Sequence, residues 1–306
     1  GSFFHPFKGT WGIPTTKLRA SKQAFAGGAK GDYLTDVLAE GTIKLIKENG
    51  KKKPFFLYFP FYAVHTPLQG KKEKIERYKQ VPKEKRQGNP VYAAMVESVD
   101  DAVGKVMGAV RELGMEKDTL VLFTSDNGGF ARATDHAPLR ANKGSPYEGG
   151  IRVPLIITGA GVERKGATCE VPATSSDLYP TILEMAGLPM RPYQHLDGRS
   201  LAGALKGKGA LEEKPIFWHY PHYNQHPQSA PHSVIRSGSW KLMEFLETGK
   251  IELYDLAKDL GESKDLSQAK PEVTKELLAR LHAWKKEVRA EPMLPNPLVQ
   301  KSKEKN

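Results

Sequence analysis

Cysteine is almost absent from this chain of 306 residues. Cys169 stands alone, which excludes an internal disulfide and a thiolate-only metal cluster and leaves the redox compartment unread. Long apolar runs are missing as well. No stretch of about 18 uncharged apolar residues occurs, so no segment is suited to cross a membrane as a helix, and no charged-then-apolar leader marks a signal peptide. Acidic residues are in deficit: 35 Asp and Glu face 46 Lys and Arg, a formal charge of +11. That balance favours anionic partners such as nucleic acid, acidic membranes, or sulfated and phosphorylated substrates. Much of the excess lies in "KKK" at 51–53 and "KKEKIERYKQVPKEKR" at 71–86. These runs lack the interleaved aromatic platforms on which bases stack, so nucleic acid is not expected as the partner.

With 39% hydrophobic and 26% charged residues, the chain can bury the core of one large α/β domain, with or without a smaller appendage. Residues 1–30 show many turn formers and no periodicity, and read as an irregular lead-in. A helical pattern through Leu38, Leu45 and Ile46 closes at Gly50, and Pro54 precedes "FFLYFP", which reads as a buried strand. Val91, Met95, Val99, Ala102, Val103, Val106, Val110 and Leu113 recur every three or four residues up to Gly114 and predict a long helix. "TLVLFT" at 119–124 and "VPLIIT" at 153–158 are continuously apolar. Such strands between helices predict a mostly parallel sheet sandwiched by helices. Asp177 is expected to cap the helix of "DLYPTILEMAG", with Gly187 ending it.

Near residue 205 the character changes. "LKGKGALEEKP" reads as a linker, and "PIFWHY", "SVIRSG", "WKLMEF" and "IELYDL" read as short antiparallel strands. A last helix carries Val273, Leu277, Leu281, Trp284 and Val288 on one face. The expected organisation is an α/β domain over 31–205, a small C-terminal α+β subdomain over 206–292 and a loose tail over 293–306.

Ligands of an open parallel sheet gather beyond the carboxyl ends of its strands. There "FTSDNGGF", at 123–130, stops an apolar strand on Asp126, Asn127, Gly128 and Gly129. Two side-chain oxygens ahead of a sharp turn suit a hard cation such as calcium or magnesium, although the same residues also make an ordinary turn. His65, just past "FFLYFP", is either a structural hydrogen-bonder or a residue that holds an anion and passes a proton. Lys143, in "LRANKGSPYEGGIRVP", is either solvated surface or a partner for negative charge, while Glu148, Gly149 and Gly150 read as packing and turn residues. A cation site, an imidazole and an ammonium together suit hydrolysis of a phosphate or sulfate ester, where charge on the transferred group must be neutralised.

"PFFLYFPFYAVHTPLQ", "TLVLFTSDNGG", "PLRANKGSPYEGGIRVPLII", "SSDLYPTILEMAG" and "LDGRSL" together resemble the sulfatase family, of the arylsulfatase type within the alkaline phosphatase superfamily. "FWHYPHY", "SVIRSGSWKL" and "ELYDL" are similar to the C-terminal subdomain of bacterial members that desulfate glycans. The resemblance runs from about residue 30 to residue 290 in the family's order. It implies an alkaline phosphatase-like fold, Asp126 and Asn127 as ligands of Ca2+, and His65 and Lys143 as catalytic groups that bind the sulfate and assist departure of the leaving group. It also implies a sulfated sugar or polysaccharide as substrate and a periplasmic or secreted location. His136, Arg140, His219 and His222 are then candidates to shape the substrate pocket, Arg140 by meeting a sugar acid or a second sulfate; surface or structural roles are the alternative.

One departure carries weight. Sulfatases use a Cys or Ser, in a C/S-x-P/A-x-R signature, that becomes formylglycine. Cys169 is followed by Val171 and Ala173 at the signature positions, and no serine fits either. The family's paired aspartates and its "GKWH" segment are also missing from the sequence. The nucleophile is therefore expected outside this chain, and the fragment alone is expected to be inactive and to hold calcium weakly. The N-terminal segment of the family is expected as its partner, because the sheet would otherwise expose apolar edges. The alternatives are a phosphodiesterase or phosphonate hydrolase of the same superfamily and a non-catalytic fragment that binds polyanions through its lysines.

Overall fold

The computed structural model describes residues 2–4, 29–208 and 211–294. Most of the expected lead-in and tail, 5–28 and 295–306, lies outside the described residues.

Helix α1, Leu34–Asn49, packs against α3, Pro90–Glu112, with the short α2, Lys72–Lys79, on the other side of α3. The start of α3 follows from its sequence: the Asn89 side chain accepts from the Val91 N–H at 2.8 Å, and Pro90 takes the first turn, where a missing N–H costs nothing. Its buried face is Ala94, Met95, Ser98, Ala102, Ala109 and Val110, so the alanines and Ser98 widen the stripe that the larger apolar residues predict. Small side chains there let α1 approach closely. Lys74 of α2 is buried because Glu97, at 3.1 Å, and Asp101 pair with it.

Strands β1, Leu120–Thr124, and β2, Leu155–Gly159, lie side by side, with the four-residue helix α4, Glu148–Ile151, between them in sequence. They pair antiparallel, Leu120 opposite Gly159 and Thr124 opposite Leu155, where parallel neighbours were expected. The physical reason is the connection: residues 125–154 form a loop that returns to the end of β1 it left, with no crossover helix. Thr124 Oγ1 closes the base of that loop by donating to the Pro154 carbonyl at 2.9 Å. Apolar runs report burial and carry no direction. "FFLYFP" forms no strand, because a strand needs a hydrogen-bonded neighbour and no described residue pairs with 55–60. Phe56 and Tyr58 are 72% and 77% exposed, and Phe123 and Ile156 are exposed nearby in the sheet.

Helix α5, Leu178–Met185, starts directly after Asp177, as expected, but a 3-10 turn over Ser175–Asp177 precedes it and takes the side-chain cap. Thr174 opens a capping box in which Asp177 is the third residue, its carboxylate accepting from the Thr174 N–H at 2.8 Å. The other Asp177 oxygen accepts from the Arg199 N–H at 2.8 Å, which ties "LDGRSL" to the helix. A short helix α6, Ala202–Leu205, follows.

The C-terminal part is an antiparallel meander, β3 Ile216–Tyr220, β4 His232–Ser237, β5 Trp240–Phe245 and β6 Lys250–Asp255, and then α7, Pro271–Glu287. Alternation along the strands splits its two faces. Ile235, Leu242 and Leu253 pack on Leu277 and Leu281 of α7, with Phe217 stacked on Trp284 at 4.8 Å. Val234, Met243 and Tyr254 face the other way and pack on Tyr147 and Ala141 of the 125–154 loop. That loop, which carries most of the candidate residues, is therefore clasped between β1–β2 and the C-terminal sheet.

Candidate active site

Beyond β1 the chain reaches Asp126, which is exposed, and Asn127, which is half-buried. The two glycines that follow are demanded by close backbone approach. A Cβ on Gly128 would lie 1.8 Å from the Gly149 carbonyl oxygen, and one on Gly129 would lie 2.5 Å from Thr134 Cγ2. Gly128 N–H donates to the Gly150 carbonyl at 2.9 Å, and Lys143 N–H donates to the Gly129 carbonyl at 3.0 Å. The acid–amide pair and the lysine thus share one fold of backbone. His136 serves that fold: its Nε2 accepts from the Gly129 N–H, so the imidazole latches the turn.

The C-terminal sheet grips the Lys143 loop at three points. Arg140 stacks over the Tyr147 ring at 3.9 Å and donates through Nη1 to Tyr254 Oη at 3.0 Å and to the Glu262 carbonyl at 2.7 Å. Its guanidinium bonds between two parts of the chain, which favours the structural alternative for Arg140 over a contact with substrate. The Gly144 carbonyl accepts from Asn224 Nδ2 at 3.0 Å. Glu148, buried as expected of a packing residue, meets Lys241 Nζ at 2.9 Å, and Glu262 meets the same ammonium at 2.8 Å. Burial pushes the Glu262 carboxyl up, and the like charge of Glu148 adds to it, against the pull of Lys241. Lys241 is fully buried, where an ammonium needs such partners.

His65 is exposed, with Nδ1 2.9 Å from the Thr66 carbonyl oxygen. It shares a neighbourhood with Lys143 and with a residue that strand-end reasoning passed over, His226. Burial first, and then the charges of Lys143 and His65, hold the His226 imidazole below its ordinary value. The missed signal was density of histidine: "HYPHYNQH" offers three, and only the two nearest the strand were weighed. Those two do other things. His219 on β3 uses both ring nitrogens, on Ser233 Oγ at 2.8 Å and the Glu291 carbonyl at 2.6 Å, so it is structural. His222 is exposed and sits edge-on to Tyr220. Asp126, Asn127 and Lys143 thus share one fold of backbone, His226 lies within the electrostatic reach of Lys143 and His65, and Arg140 and His219 are bonded to other parts of the chain.

The carboxylate of Asp126 and the amide oxygen of Asn127 are donors of the kind calcium takes, but two donors fall short of its 6–8. Among the described residues no group of three or more His, Cys, Asp or Glu gathers as a metal centre. The set fits in kind and is incomplete in number.

Comparison with known proteins decides the family. The family model for Sulfatase matches residues 4–188, more than half of the chain. The chain belongs to the sulfatase family. A second family model, N-sulphoglucosamine sulphohydrolase, C-terminal, matches residues 142–290, so both span the loop from Lys143 to Ile151. A sulfatase of Formosa agariphila is 36% identical over 279 residues, 82% of this chain and 50% of that protein. Arylsulfatase A of Homo sapiens is 31% identical over 254 residues, 75% of this chain and 47% of that protein. The crystal structure of Ps i-CgsB superposes on this sulfatase chain with a TM-score of 0.72 at 31% identity, over 83% of this chain and 55% of that one. The alkaline phosphatase-like α/β class with a small C-terminal antiparallel sheet therefore stands, although the one described strand pair of the larger part is antiparallel. The chain spans about half the length of the curated relatives it matches. No described helix is long and apolar enough to cross a membrane.

Proposed function

We propose that this chain forms the later part of a sulfuric ester hydrolase that removes sulfate from a sulfated sugar or polysaccharide, its formylglycine nucleophile lying outside the chain, so that the chain alone is inactive. The observation that supports this reading is the backbone bond from Lys143 N–H to the Gly129 carbonyl, which ties the lysine loop to the acid–amide turn in a chain of the sulfatase family.

Within that reading Lys143 and His65 hold the sulfate oxygens. The Lys143 ammonium neutralises charge that grows on the ester oxygen as its bond to sulfur breaks, and the His65 imidazole, beside it, supplies a proton to the departing oxygen. Asp126 and Asn127 would hold calcium, completed by ligands from outside the chain; calcium supplies a fixed positive charge against the sulfate oxygens. His136 keeps the turn in shape. His222, exposed beyond β3, lies on the substrate side, and the small C-terminal subdomain over 206–292 holds the Lys143 loop.

The carbohydrate assignment is supported by a second structure of Ps i-CgsB, in complex with k-i-k-neocarrahexaose, with a TM-score of 0.72 at 30% identity. The +11 charge suits a polyanionic glycan, and such a substrate places the protein in the periplasm or outside the cell. The test is release of inorganic sulfate from a sulfated galactan by the protein that joins this chain to its nucleophile segment, with and without a calcium chelator. Release that the chelator abolishes is expected. Hydrolysis of phosphate diesters in place of sulfate esters would overturn the reading.

A further inference from the structure

We propose that His226 is part of the substrate site and meets a hydroxyl of the sugar that carries the sulfate. The inference rests on the sulfatase reading above and adds to it a residue supplied by the C-terminal part of the chain.

The loop between β3 and β4 is built around Asn224. Its Nδ2 donates to the Gly144 carbonyl at 3.0 Å, its Oδ1 accepts from the His226 N–H at 2.9 Å, and its own N–H donates to Ser229 Oγ at 2.9 Å. One amide therefore fixes His226 relative to the residue that follows Lys143. The contact is tight: Gly144 has φ +88, and a Cβ there would lie 2.6 Å from His226 Cβ and 2.7 Å from Cδ2. On its far side the His226 ring meets Phe130 edge-on at 6.2 Å between centroids, directly after the Asp126–Gly129 turn. The imidazole is thus held between the lysine loop and the turn, half-exposed, and neither ring nitrogen has a hydrogen-bond partner among the described residues. His219 and His136, by contrast, have their nitrogens occupied by the protein.

Chemistry selects the ligand group. Burial first, and then the charges of Lys143 and His65, hold the His226 imidazole below its ordinary value and so favour the neutral ring. A neutral imidazole offers one donor and one acceptor. Sulfate oxygens only accept, and the ammonium of Lys143 already matches them. A sugar hydroxyl donates and accepts, and so matches a neutral imidazole fixed one residue away from the sulfate grip.

The experiment measures binding at equilibrium to the protein that joins this chain to its nucleophile segment, with the nucleophile replaced by alanine so that ligand is bound and not turned over. Dissociation constants for neocarrahexaose, which carries sugar hydroxyls, and for phenyl sulfate, which has none, are read by side-chain NMR. Assigned imidazole signals of His65 and His226 serve as reporters. His226→Ala is expected to weaken the oligosaccharide by about tenfold, the worth of one hydrogen bond, and to leave phenyl sulfate within about twofold. His226→Asn, which keeps one donor and one acceptor and covers the case in which the alanine variant fails to fold, is expected to recover part of the loss. An equal loss on both ligands, or none on either, overturns the proposal. If the joined protein with wild-type His226 binds neither ligand, the reading of a sulfated sugar as substrate falls, and the proposal with it.

Discussion

Lys143 N–H donates to the Gly129 carbonyl at 3.0 Å, across a loop otherwise clamped by Arg140, Gly144 and Glu148. A residue on a solvent-facing loop is thereby positioned as firmly as one on a strand. The clamp comes from the C-terminal sheet, so that sheet shapes the site even where it contributes no charge to it.

The turn itself is the first test. Gly128→Ala puts a methyl group 1.8 Å from the Gly149 carbonyl oxygen, in a backbone segment held by the bond from Gly149 N–H to the Arg140 carbonyl. Because backbone cannot swing aside as a flexible side chain can, a loss of about 3 kcal/mol or more is expected, seen as a lower urea midpoint with an unchanged slope. A variant as stable as wild type would show that the turn yields freely.

Lys241→Met tests the clamp. It leaves Glu262 without its ammonium in the interior and Glu148 with only the more distant Arg152 at 3.6 Å and Arg236 at 3.9 Å, and removing one partner of a buried ionic set costs about 3–5 kcal/mol. Glu262, already pushed up by burial, can escape by taking a proton. Its raised carboxyl therefore makes the deficit smaller at acid pH and larger as pH rises through the folded-state value. Urea unfolding at pH 5 and pH 8 should show that order; a deficit independent of pH would contradict it.

Glu252 sets a limit on the acid side. Burial alone would raise its carboxyl, but Lys250 at 2.7 Å, Tyr147 at 2.8 Å and Tyr254 at 2.9 Å donate to it and bring it below its ordinary range. A depressed carboxyl contributes stability above its unfolded value and loses it as pH falls through the folded one. Wild type should lose stability below about pH 4.3 more steeply than Glu252→Gln, in thermal melts across that range. Parallel acid limbs for the two proteins would remove Glu252 from this role.

Asp126→Ala should weaken calcium binding in the protein that joins this chain to its nucleophile segment. It removes the one carboxylate the chain offers, and a calorimetric titration indistinguishable from wild type would refute the metal assignment.

The sequence made local facts legible. The apolar period of α3, the Asn89–Pro90 start, the four short strands and the α7 stripe all sit within a few residues of the signals that announce them. What it hid was partnership. Nothing in "TLVLFT" or "VPLIIT" says whether the strands run together or oppositely, and "FFLYFP" reads as a strand although it has no described neighbour. The three clamps join residues far apart in the chain, Arg140 to Tyr254, Gly144 to Asn224 and Glu148 to Lys241. The sequence therefore left Arg140 open between substrate and structure, and His226, whose place depends on such a contact, carries no local signal. Asp126, Asn127 and His65 stood out as candidates because each follows an apolar run, and Lys143 because it sits in a glycine-containing loop ahead of one.

The most direct measurement is the steady-state rate of sulfate release by Lys143→Ala, in the protein that joins this chain to its nucleophile segment, beside its thermal melt. Removing one preorganised positive charge from the departing oxygen should lower turnover by about 10²–10³ with the melting temperature unchanged, since the clamps on the loop use backbone and other side chains. Wild-type turnover in a folded Lys143→Ala protein would contradict the claim that Lys143, beside the Asp126–Asn127 turn, grips the sulfate.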